Sequence, residues 1–144
     1  EPDQQTLQVQ QQARRLAGLR LLLVEDNEQN QEVATELLAD EGAEIQVADN
    51  GQLALDWLAR QQRLPDAVLM DVQMPVMDGL EATQRIRGEL GLVLLPIVAM
   101  TAHAFPEERE RCLAAGMNDH VAKPISAAGL AEVIARWVPV DPAH

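Results

Sequence analysis

The chain is poor in aromatic residues and cysteine, and it has no apolar run long enough to span a membrane. Its 144 residues include no tyrosine, one phenylalanine and two tryptophans, so a core must be built from aliphatic side chains and methionine. The single cysteine, Cys112, excludes an internal disulfide and fits a reducing compartment. Without a long apolar run or a signal peptide, we expect no membrane insertion by this segment.

Basic residues are also scarce. The chain has 11 lysines and arginines against 23 aspartates and glutamates, which gives a formal net charge of -12. This balance argues against nucleic acid or an anionic membrane as a direct partner. It suits a cation or a partner with a basic patch. A composition that is 47% hydrophobic still permits a real core, and the length suits one domain.

The two ends of the chain differ from its middle. Residues 1–18, "EPDQQTLQVQQQARRLAG", are rich in glutamine and have few apolar positions. We expect a linker or a helical tail from an upstream domain there, the alternative being an integral part of the domain. A compact domain is predicted over residues 19–138, with a C-terminal tail at 139–144. The first residue is not methionine, so we expect a fragment of a longer protein.

Between these ends, apolar strand-like runs alternate with helical patterns. The predicted strands are "LRLLLVEDN", "AEIQVAD", "DAVLMD", "PIVAMTA" and "HVAKP". The predicted helices are "EQNQEVATELLADEG", "NGQLALDWLARQ", "GLEATQRIRG", "PEERERCLAAG" and "SAAGLAEVIARWV". The alternation predicts an α/β fold with a parallel five-stranded sheet and helices on both faces. On the first helix, Val33, Leu37 and Leu38 are predicted to share the apolar face.

Chemically useful side chains occur where the predicted strands end. Glu25 and Asp26 follow the first strand, Asp71 ends the third, Thr101 ends the fourth and Lys123 ends the fifth. The carboxyl ends of parallel strands lie at one rim of the sheet, where such folds bind ligands. The sequence therefore predicts that these side chains meet at one site.

The three carboxylates of this set need protons or a cation to compensate their charge. At about 4 Å and an effective dielectric constant of about 20, each pair repels by roughly 4 kcal/mol. Ligands that offer only oxygen favour Mg²⁺. A carboxylate can also accept a phosphoryl group as an acyl phosphate. Lys123 would then pair with the phosphoryl oxygens and the Thr101 hydroxyl would donate to another, so positioning and electrostatics suffice.

Four motifs together resemble the receiver domain of two-component response regulators. They are "LLLVEDNEQNQ", "DAVLMDVQMPVMDGLEATQRIR", "PIVAMTAHA" and "AGMNDHVAKPI", and the resemblance spans about Leu19 to Val138. It implies a flavodoxin-like, doubly wound (βα)5 three-layer sandwich. The stretches "VEDNEQNQ" and "MDVQMPVMDGLEATQRIR" are most similar to receivers attached to hybrid sensor histidine kinases.

The resemblance implies a phosphorylation and magnesium site. Asp71 matches the aspartate that is phosphorylated, and it also contributes to the metal site. Asp26 matches a direct magnesium ligand, and Glu25 matches a residue that acts mostly through water. Gln73, two residues after Asp71, matches the residue whose backbone carbonyl is the third protein ligand.

The resemblance also implies a switch. Thr101 matches the switch hydroxyl, Lys123 matches the phosphate-binding lysine, and Lys123–Pro124 matches a bond that is usually cis in this family. His120 stands where the family often has a Tyr or Phe that moves as the threonine engages phosphate; the alternative is a half-buried strand residue. His103 matches a position that flanks the phosphoryl site, where together with Gln73 it would alter access of water to the acyl phosphate; the alternative is a surface loop histidine.

The resemblance therefore implies a phosphoacceptor signalling domain. We expect it to take a phosphoryl group from a phosphohistidine onto Asp71 with Mg²⁺, and to relay it or regulate an output domain. Expected partners are a histidine kinase domain, a histidine phosphotransfer domain or both. The chain is expected to catalyse its own phosphorylation and dephosphorylation without being an enzyme otherwise. Its expected parent is a hybrid sensor histidine kinase, and its expected location is the cytoplasm.

Two alternatives are open at this point. A haloacid-dehalogenase-like phosphatase also uses an aspartate nucleophile at a strand end with Mg²⁺. That family has a second aspartate two residues later, where this chain has Gln73. A degenerate receiver would dock partners without phosphorylation, but Asp26, Asp71, Thr101 and Lys123 are all intact.

Overall fold

Five strands and five helices alternate along the chain in the computed structural model, which describes residues 16–72, 74, 77–102, 105–123 and 125–138. In order they are β1 (Arg20–Val24), α1 (Glu28–Asp40), β2 (Glu44–Ala48), α2 (Gly51–Arg60), β3 (Ala67–Asp71), α3 (Gly79–Gly88), β4 (Ile97–Thr101), α4 (Pro106–Ala115), β5 (Asp119–Ala122) and α5 (Ala127–Trp137). The strands are parallel and ordered β2-β1-β3-β4-β5. This order confirms the predicted doubly wound sheet.

The central strands β1, β3 and β4 are buried on both faces, which explains why they are mostly apolar. β3 and β4 are buried at every residue. One face packs against α2, α3 and α4 through Ala54, Leu55, Leu58, Ala82, Ile86 and Cys112. The other face packs against α1 and α5 through Ala34, Leu38, Leu130, Ala131, Val133 and Ile134. Three layers result, and no helix in the described ranges is long and apolar enough to cross a bilayer.

Local signals in the sequence fix where the helices begin and end. Four helices follow a residue whose side chain accepts a hydrogen bond from the amide three positions on: Asn27, Asn50, Asp78 and Ser126. Such caps satisfy backbone donors that have no partner within the helix. Helix α4 instead starts at Pro106 and ends at Gly116, whose φ of 111° lies in the left-handed region. Both ends of α4 were predicted.

Helix α1 buries a different stripe from the predicted one. Ala34 and Leu38, four residues apart, face the sheet and are buried. Val33 is 51% exposed, and Leu37 is only half-buried. The prediction of a shared face for Val33, Leu37 and Leu38 was therefore wrong for Val33. Val33–Leu37 and Ala34–Leu38 are both i, i+4 pairs, so spacing alone does not decide between them. The packing of α1 on the sheet turns the stripe of Ala34 and Leu38 inward.

The packed part of the chain starts upstream of the predicted boundary at Leu19. Leu16 is fully buried, and its amide donates to the carbonyl of Glu41 at 2.9 Å. A Cβ on Gly42 would lie 2.9 Å from the Cα of Ala17, so these two segments pack closely. The predicted linker at 1–18 therefore cannot extend to its last residues. The remainder of that segment and the predicted tail at 139–144 lie outside the described residues.

Arg87 of α3 joins three segments near the amino ends of β4 and β5. Its Nη1 donates to the carbonyls of Leu92 and Leu95, at 2.6 Å each. Its Nε and Nη2 donate to the Gly116 carbonyl at 3.0 and 2.8 Å, and Nη2 also donates to Asn118 Oδ1 at 2.8 Å. Burial lowers the pKa of the Arg87 guanidinium. These acceptors are all uncharged, so the planar fork of donors matters here more than ion pairing.

Replacement of Arg87 by lysine should destabilise the domain. The ammonium keeps the charge but cannot reach all four acceptors, so partly buried carbonyls lose their hydrogen bonds. We expect a loss of about 2–4 kcal/mol in the free energy of unfolding, measured by urea denaturation. The matched control is Arg85→Lys on the same helix, which should change stability by less than about 0.5 kcal/mol. Equal effects of the two substitutions would contradict the assigned role of Arg87.

Candidate functional site

The carboxyl ends of four strands bring the predicted side chains to one rim of the sheet. Glu25 directly follows β1, and Asp71 and Thr101 are the last residues of β3 and β4. Lys123 directly follows β5. Glu25, Asp71 and Thr101 are buried, whereas Asp26 is exposed. The side chains predicted at four strand ends are thus collected as expected.

Three carboxylates form a tight cluster at this rim. One oxygen from each of Glu25, Asp26 and Asp71 lies within 4.8 Å of the others. The donors are all carboxylate oxygens, which suit a hard divalent cation. Their spacing is also close enough for strong mutual repulsion. The cluster, which we call the carboxylate cluster, is therefore a candidate metal site.

Among the described residues, Lys123 is the cation that faces the carboxylate cluster. Its Nζ lies 3.3 Å from Glu25 Oε2 and 3.3 Å from Asp71 Oδ2. One ammonium cannot neutralise three carboxylates, so within the described part of the chain the cluster keeps a net negative charge. A second positive charge near Asp26 would lower its electrostatic energy further.

The loop after β3 is held against the end of that strand by Gly79. A Cβ at this position would collide with the carbonyl oxygen of Asp71. The Gly79 amide donates to the Val72 carbonyl at 2.9 Å, and Asp78 caps α3 through the Glu81 amide at 2.8 Å. The "DG" pair thus lets α3 begin directly beside Asp71, because only glycine permits this approach.

Glu25 fixes the loop after β1 through three hydrogen bonds, one that it donates and two that it accepts. Its amide donates to the Ala48 carbonyl at 3.1 Å, and its Oε1 accepts from the Asn27 amide at 3.2 Å. Its carbonyl accepts from Nε2 of Gln31 at 2.6 Å. Sequence reasoning missed Gln31. The available signal was its position in the first turn of a helix that is capped by Asn27.

Two buried polar atoms near the rim have no hydrogen-bond partner within the described ranges. They are Thr101 Oγ1 and His120 Nδ1. The register of β4 and β5 pairs Ala99 with His120 and Thr101 with Ala122. Residues paired in this way point to the same face of a sheet, so Thr101 and His120 are diagonal neighbours. The His120 side chain is half-buried at 24% exposure, and its role as a switch stays a prediction.

Asp119 ties β5 to α5 next to His120. Its Oδ2 accepts from Arg136 Nη1 at 3.1 Å and from Trp137 Nε1 at 3.0 Å, and its Oδ1 accepts from the His120 amide at 2.8 Å. Partial burial raises the pKa of the Asp119 carboxyl, but these hydrogen bonds outweigh it and leave that pKa below its ordinary value. Asp119 therefore holds β5 in place as an anion at neutral pH.

Three other predicted site residues lie outside the described part of the chain. They are Gln73, His103 and Pro124. Their predicted roles as a backbone metal ligand, a modulator of water access and a cis proline stay predictions.

A cleft of about 260 Å³ opens beside the carboxylate cluster. Its walls come from β1, α1, β4 and the segment after β5, with the lining residues Glu25, Asn30, Val33, Ala34, Met100, Lys123 and Ile125. Most of these side chains are apolar, while Glu25 and Lys123 bring charge to one end. The exposed Val33 is therefore part of this cleft wall and not of the core.

Comparison with known proteins gives one family. The sequence model of the response regulator receiver domain family matches residues 21–135 of this chain. The chain is 46% identical over 121 residues to the sensor protein GacS of Pseudomonas syringae, covering 82% of this chain and 13% of that protein. It is 42% identical to a two-component response regulator of Oryza sativa, covering 83% of this chain and 94% of that protein.

Solved structures give the same result. The chain resembles the receiver domain of a sensor histidine kinase from Pseudomonas aeruginosa, which was crystallised with a magnesium ion in its active site cleft. That match has a TM-score of 0.76 and 43% identity, and covers 84% of this chain and 98% of that one. A Saccharomyces cerevisiae receiver domain, crystallised with a histidine phosphotransfer protein, matches with a TM-score of 0.76 and 28% identity over 83% and 88%.

The comparisons support neither alternative function, the phosphatase or the docking module without phosphorylation. They also show that the chain is much shorter than the sensor proteins it matches. It spans 13% of the length of the GacS proteins that it matches. It therefore corresponds to one domain of those much longer proteins.

Replacement of His120 by phenylalanine should stabilise the domain. The substitution exchanges the buried His120 Nδ1, which has no hydrogen-bond partner among the described residues, for carbon in a ring of similar shape. We expect a gain of about 1 kcal/mol in the free energy of unfolding, measured by urea denaturation. His120→Asn, which keeps polar atoms near the same position, serves as the control and should give no gain. A lower stability for the phenylalanine variant than for the asparagine variant would contradict the assignment.

Proposed function

The chain belongs to the response regulator receiver domain family. On this premise we propose that Asp71 is the residue that becomes phosphorylated, with Mg²⁺ as cofactor. One observation carries the proposal. The Asp71 carboxylate lies in a cluster with Glu25 and Asp26 and at 3.3 Å from the ammonium of Lys123. This arrangement combines a nucleophile, a candidate cation site and a fixed positive charge at one rim of the sheet.

The proposed reaction moves a phosphoryl group from nitrogen to oxygen. An Asp71 carboxylate oxygen attacks the phosphorus of a phosphohistidine and forms a P–O bond. The P–N bond breaks, and its electron pair stays on the imidazole nitrogen. The product is an acyl phosphate on Asp71. Lys123 is placed to pair with a phosphoryl oxygen, and the Thr101 hydroxyl, which has no partner in the described chain, is available to donate to another.

The residues present fit Mg²⁺. Their donors are carboxylate oxygens only, within 4.8 Å of one another. A bound Mg²⁺ offsets the charge of the phosphoryl oxygens. The exposed Asp26 is free of hydrogen bonds to its carboxylate in the described part of the chain, which supports its role as a direct ligand. Glu25 is buried and engaged with Lys123 and the Asn27 amide, which supports a role through water.

The proposed phosphoryl donor is a histidine kinase domain or a histidine phosphotransfer domain. The cleft beside the carboxylate cluster offers apolar contacts from Val33 and Ile125 next to the charged site. The net charge of -12 suits a partner surface with basic residues around its histidine. The receiver domain from Saccharomyces cerevisiae was crystallised with such a phosphotransfer protein.

We also propose that the parent polypeptide is a hybrid sensor histidine kinase. Support comes from the 46% identity to the GacS sensor proteins, in which the matching part is a small fraction of the length. In this setting the chain catalyses only its own phosphorylation and dephosphorylation, and output requires another domain or protein. Thr101 and His120 are the proposed switch residues, since both carry buried polar atoms that phosphorylation could engage or release.

Replacement of Asp71 by asparagine should abolish phosphorylation and preserve the fold. The side chain keeps its shape and loses only its nucleophilic oxygen. We expect mass spectrometry to show a hydroxylamine-sensitive phosphoryl adduct on the wild type after treatment with acetyl phosphate and Mg²⁺, and none on the variant. Asp40→Asn, at an exposed position at the end of α1, is the control and should label normally. Undiminished labelling of the Asp71 variant would mean that the acceptor lies elsewhere.

Mg²⁺ should stabilise the unphosphorylated domain through binding linkage. At about one hundred times the dissociation constant, a ligand that binds only the folded state adds about 2.7 kcal/mol. In thermal unfolding, Asp26→Ala should remove most of the Mg²⁺-dependent rise in Tm. Lys123→Met should keep or enlarge that rise, because it removes a positive charge from the carboxylate cluster. An Asp26 variant that responds to Mg²⁺ as the wild type does would refute the assigned metal site.

A further inference from the structure

Gln31 makes two hydrogen bonds that connect the metal site to its surroundings. Its Nε2 donates to the Glu25 carbonyl at 2.6 Å and to Asp49 Oδ1 at 2.9 Å. Both partners are acceptors, so the side-chain amide must point its NH2 group, and not its oxygen, toward them. Gln31 thereby joins the first turn of α1 to the ends of β1 and β2.

The bond to the Glu25 carbonyl constrains Asp26. That carbonyl belongs to the peptide group between Glu25 and Asp26, so holding it fixes the orientation of this peptide plane. The plane in turn sets the direction in which the Asp26 side chain leaves the backbone. No hydrogen bond within the described ranges holds the Asp26 carboxylate itself. Its direction therefore depends on the backbone, and the backbone depends on Gln31.

Gln31 is also suited to this place by its lack of charge. It lies next to a carboxylate cluster that Lys123 only partly neutralises. A carboxylate at position 31 would place an acceptor against the Glu25 carbonyl and Asp49. An arginine or lysine would add a positive charge that competes with a metal ion. A neutral double donor satisfies both acceptors and leaves the cluster free for the cation.

We propose that Gln31 is a positioning residue for the metal site: it holds Asp26 in the direction needed to bind Mg²⁺. The inference rests on the proposed function. Hydrogen-bond partners that orient metal ligands commonly contribute about 10–100-fold to metal affinity. Gln31 should therefore affect how much Mg²⁺ the domain requires and not the rate of phosphoryl transfer once Mg²⁺ is bound.

The test compares Mg²⁺ binding by the wild type with that by Gln31→Met and Gln31→Glu. Methionine keeps the length without donors or charge, and glutamate keeps the shape while turning the donor into an acceptor. The control is Gln52→Met on α2, where Nε2 of Gln52 donates to Asp56 Oδ1 at 3.0 Å on the surface. Dissociation constants come from NMR titration with Mg²⁺. A second measurement is the rate of labelling by acetyl phosphate as a function of Mg²⁺ concentration.

Both Gln31 variants should bind Mg²⁺ about tenfold more weakly than the wild type, and Gln52→Met should bind it equally well. Labelling at saturating Mg²⁺ should stay within about twofold of the wild type. Unchanged affinity in Gln31→Met would overturn the proposal, even if that variant melts at a lower temperature, because its role would then be structural. Tighter binding by Gln31→Glu would also overturn it, since charge would then outweigh position.

The result for the wild type distinguishes a failure of this inference from a failure of the proposed function. If it binds Mg²⁺ and becomes labelled while all variants behave identically, only the role of Gln31 is overturned. If it binds no Mg²⁺, both the cofactor assignment and the role of Gln31 are wrong. If Gln31→Met does not fold, the affinity of Gln31→Glu decides the question.

Discussion

Repulsion among Glu25, Asp26 and Asp71 is the constraint on which the rim of this domain depends. Their oxygens lie within 4.8 Å of one another in a chain whose net charge is already -12. Such an arrangement persists only when surrounding structure holds it, because each carboxylate alone would move toward water. The buried sheet supplies that structure. β1 and β3 are adjacent and parallel, so their ends, and the acidic residues attached to them, cannot separate.

Several local contacts either offset this repulsion or hold the surrounding backbone in place. Lys123 supplies partial neutralisation at 3.3 Å from two of the carboxylates. Gly79 lets α3 start against the Asp71 backbone, and Gln31 holds the Glu25 carbonyl. At the opposite edge, Arg87 fastens the loops that precede β4 and β5 to α3. The negative charge that Lys123 leaves uncompensated favours binding of a cation, so the repulsion is connected directly to the proposed Mg²⁺ site.

Much of the fold and site followed from local patterns. Unbroken apolar runs predicted buried strands, and their alternation with helices predicted a parallel sheet with both faces covered. The rule that parallel strands present their carboxyl ends at one rim then brought Asp71, Thr101 and Lys123 together. This prediction needed no distances between residues, because the helical connections make all the strands run in the same direction.

The sequence by itself determined the order of the elements, their boundaries at caps such as Asn27 and Gly116, and the identity of the rim residues. Only the tertiary structure decided that Ala34 and not Val33 faces the sheet, that Leu16 is part of the core, and that Gln31 reaches Glu25 and Asp49. The physical reason is the range of the interactions. Strand and cap signals depend on neighbours a few residues away, whereas these three placements depend on which surfaces meet when α1, β1 and β2 pack together.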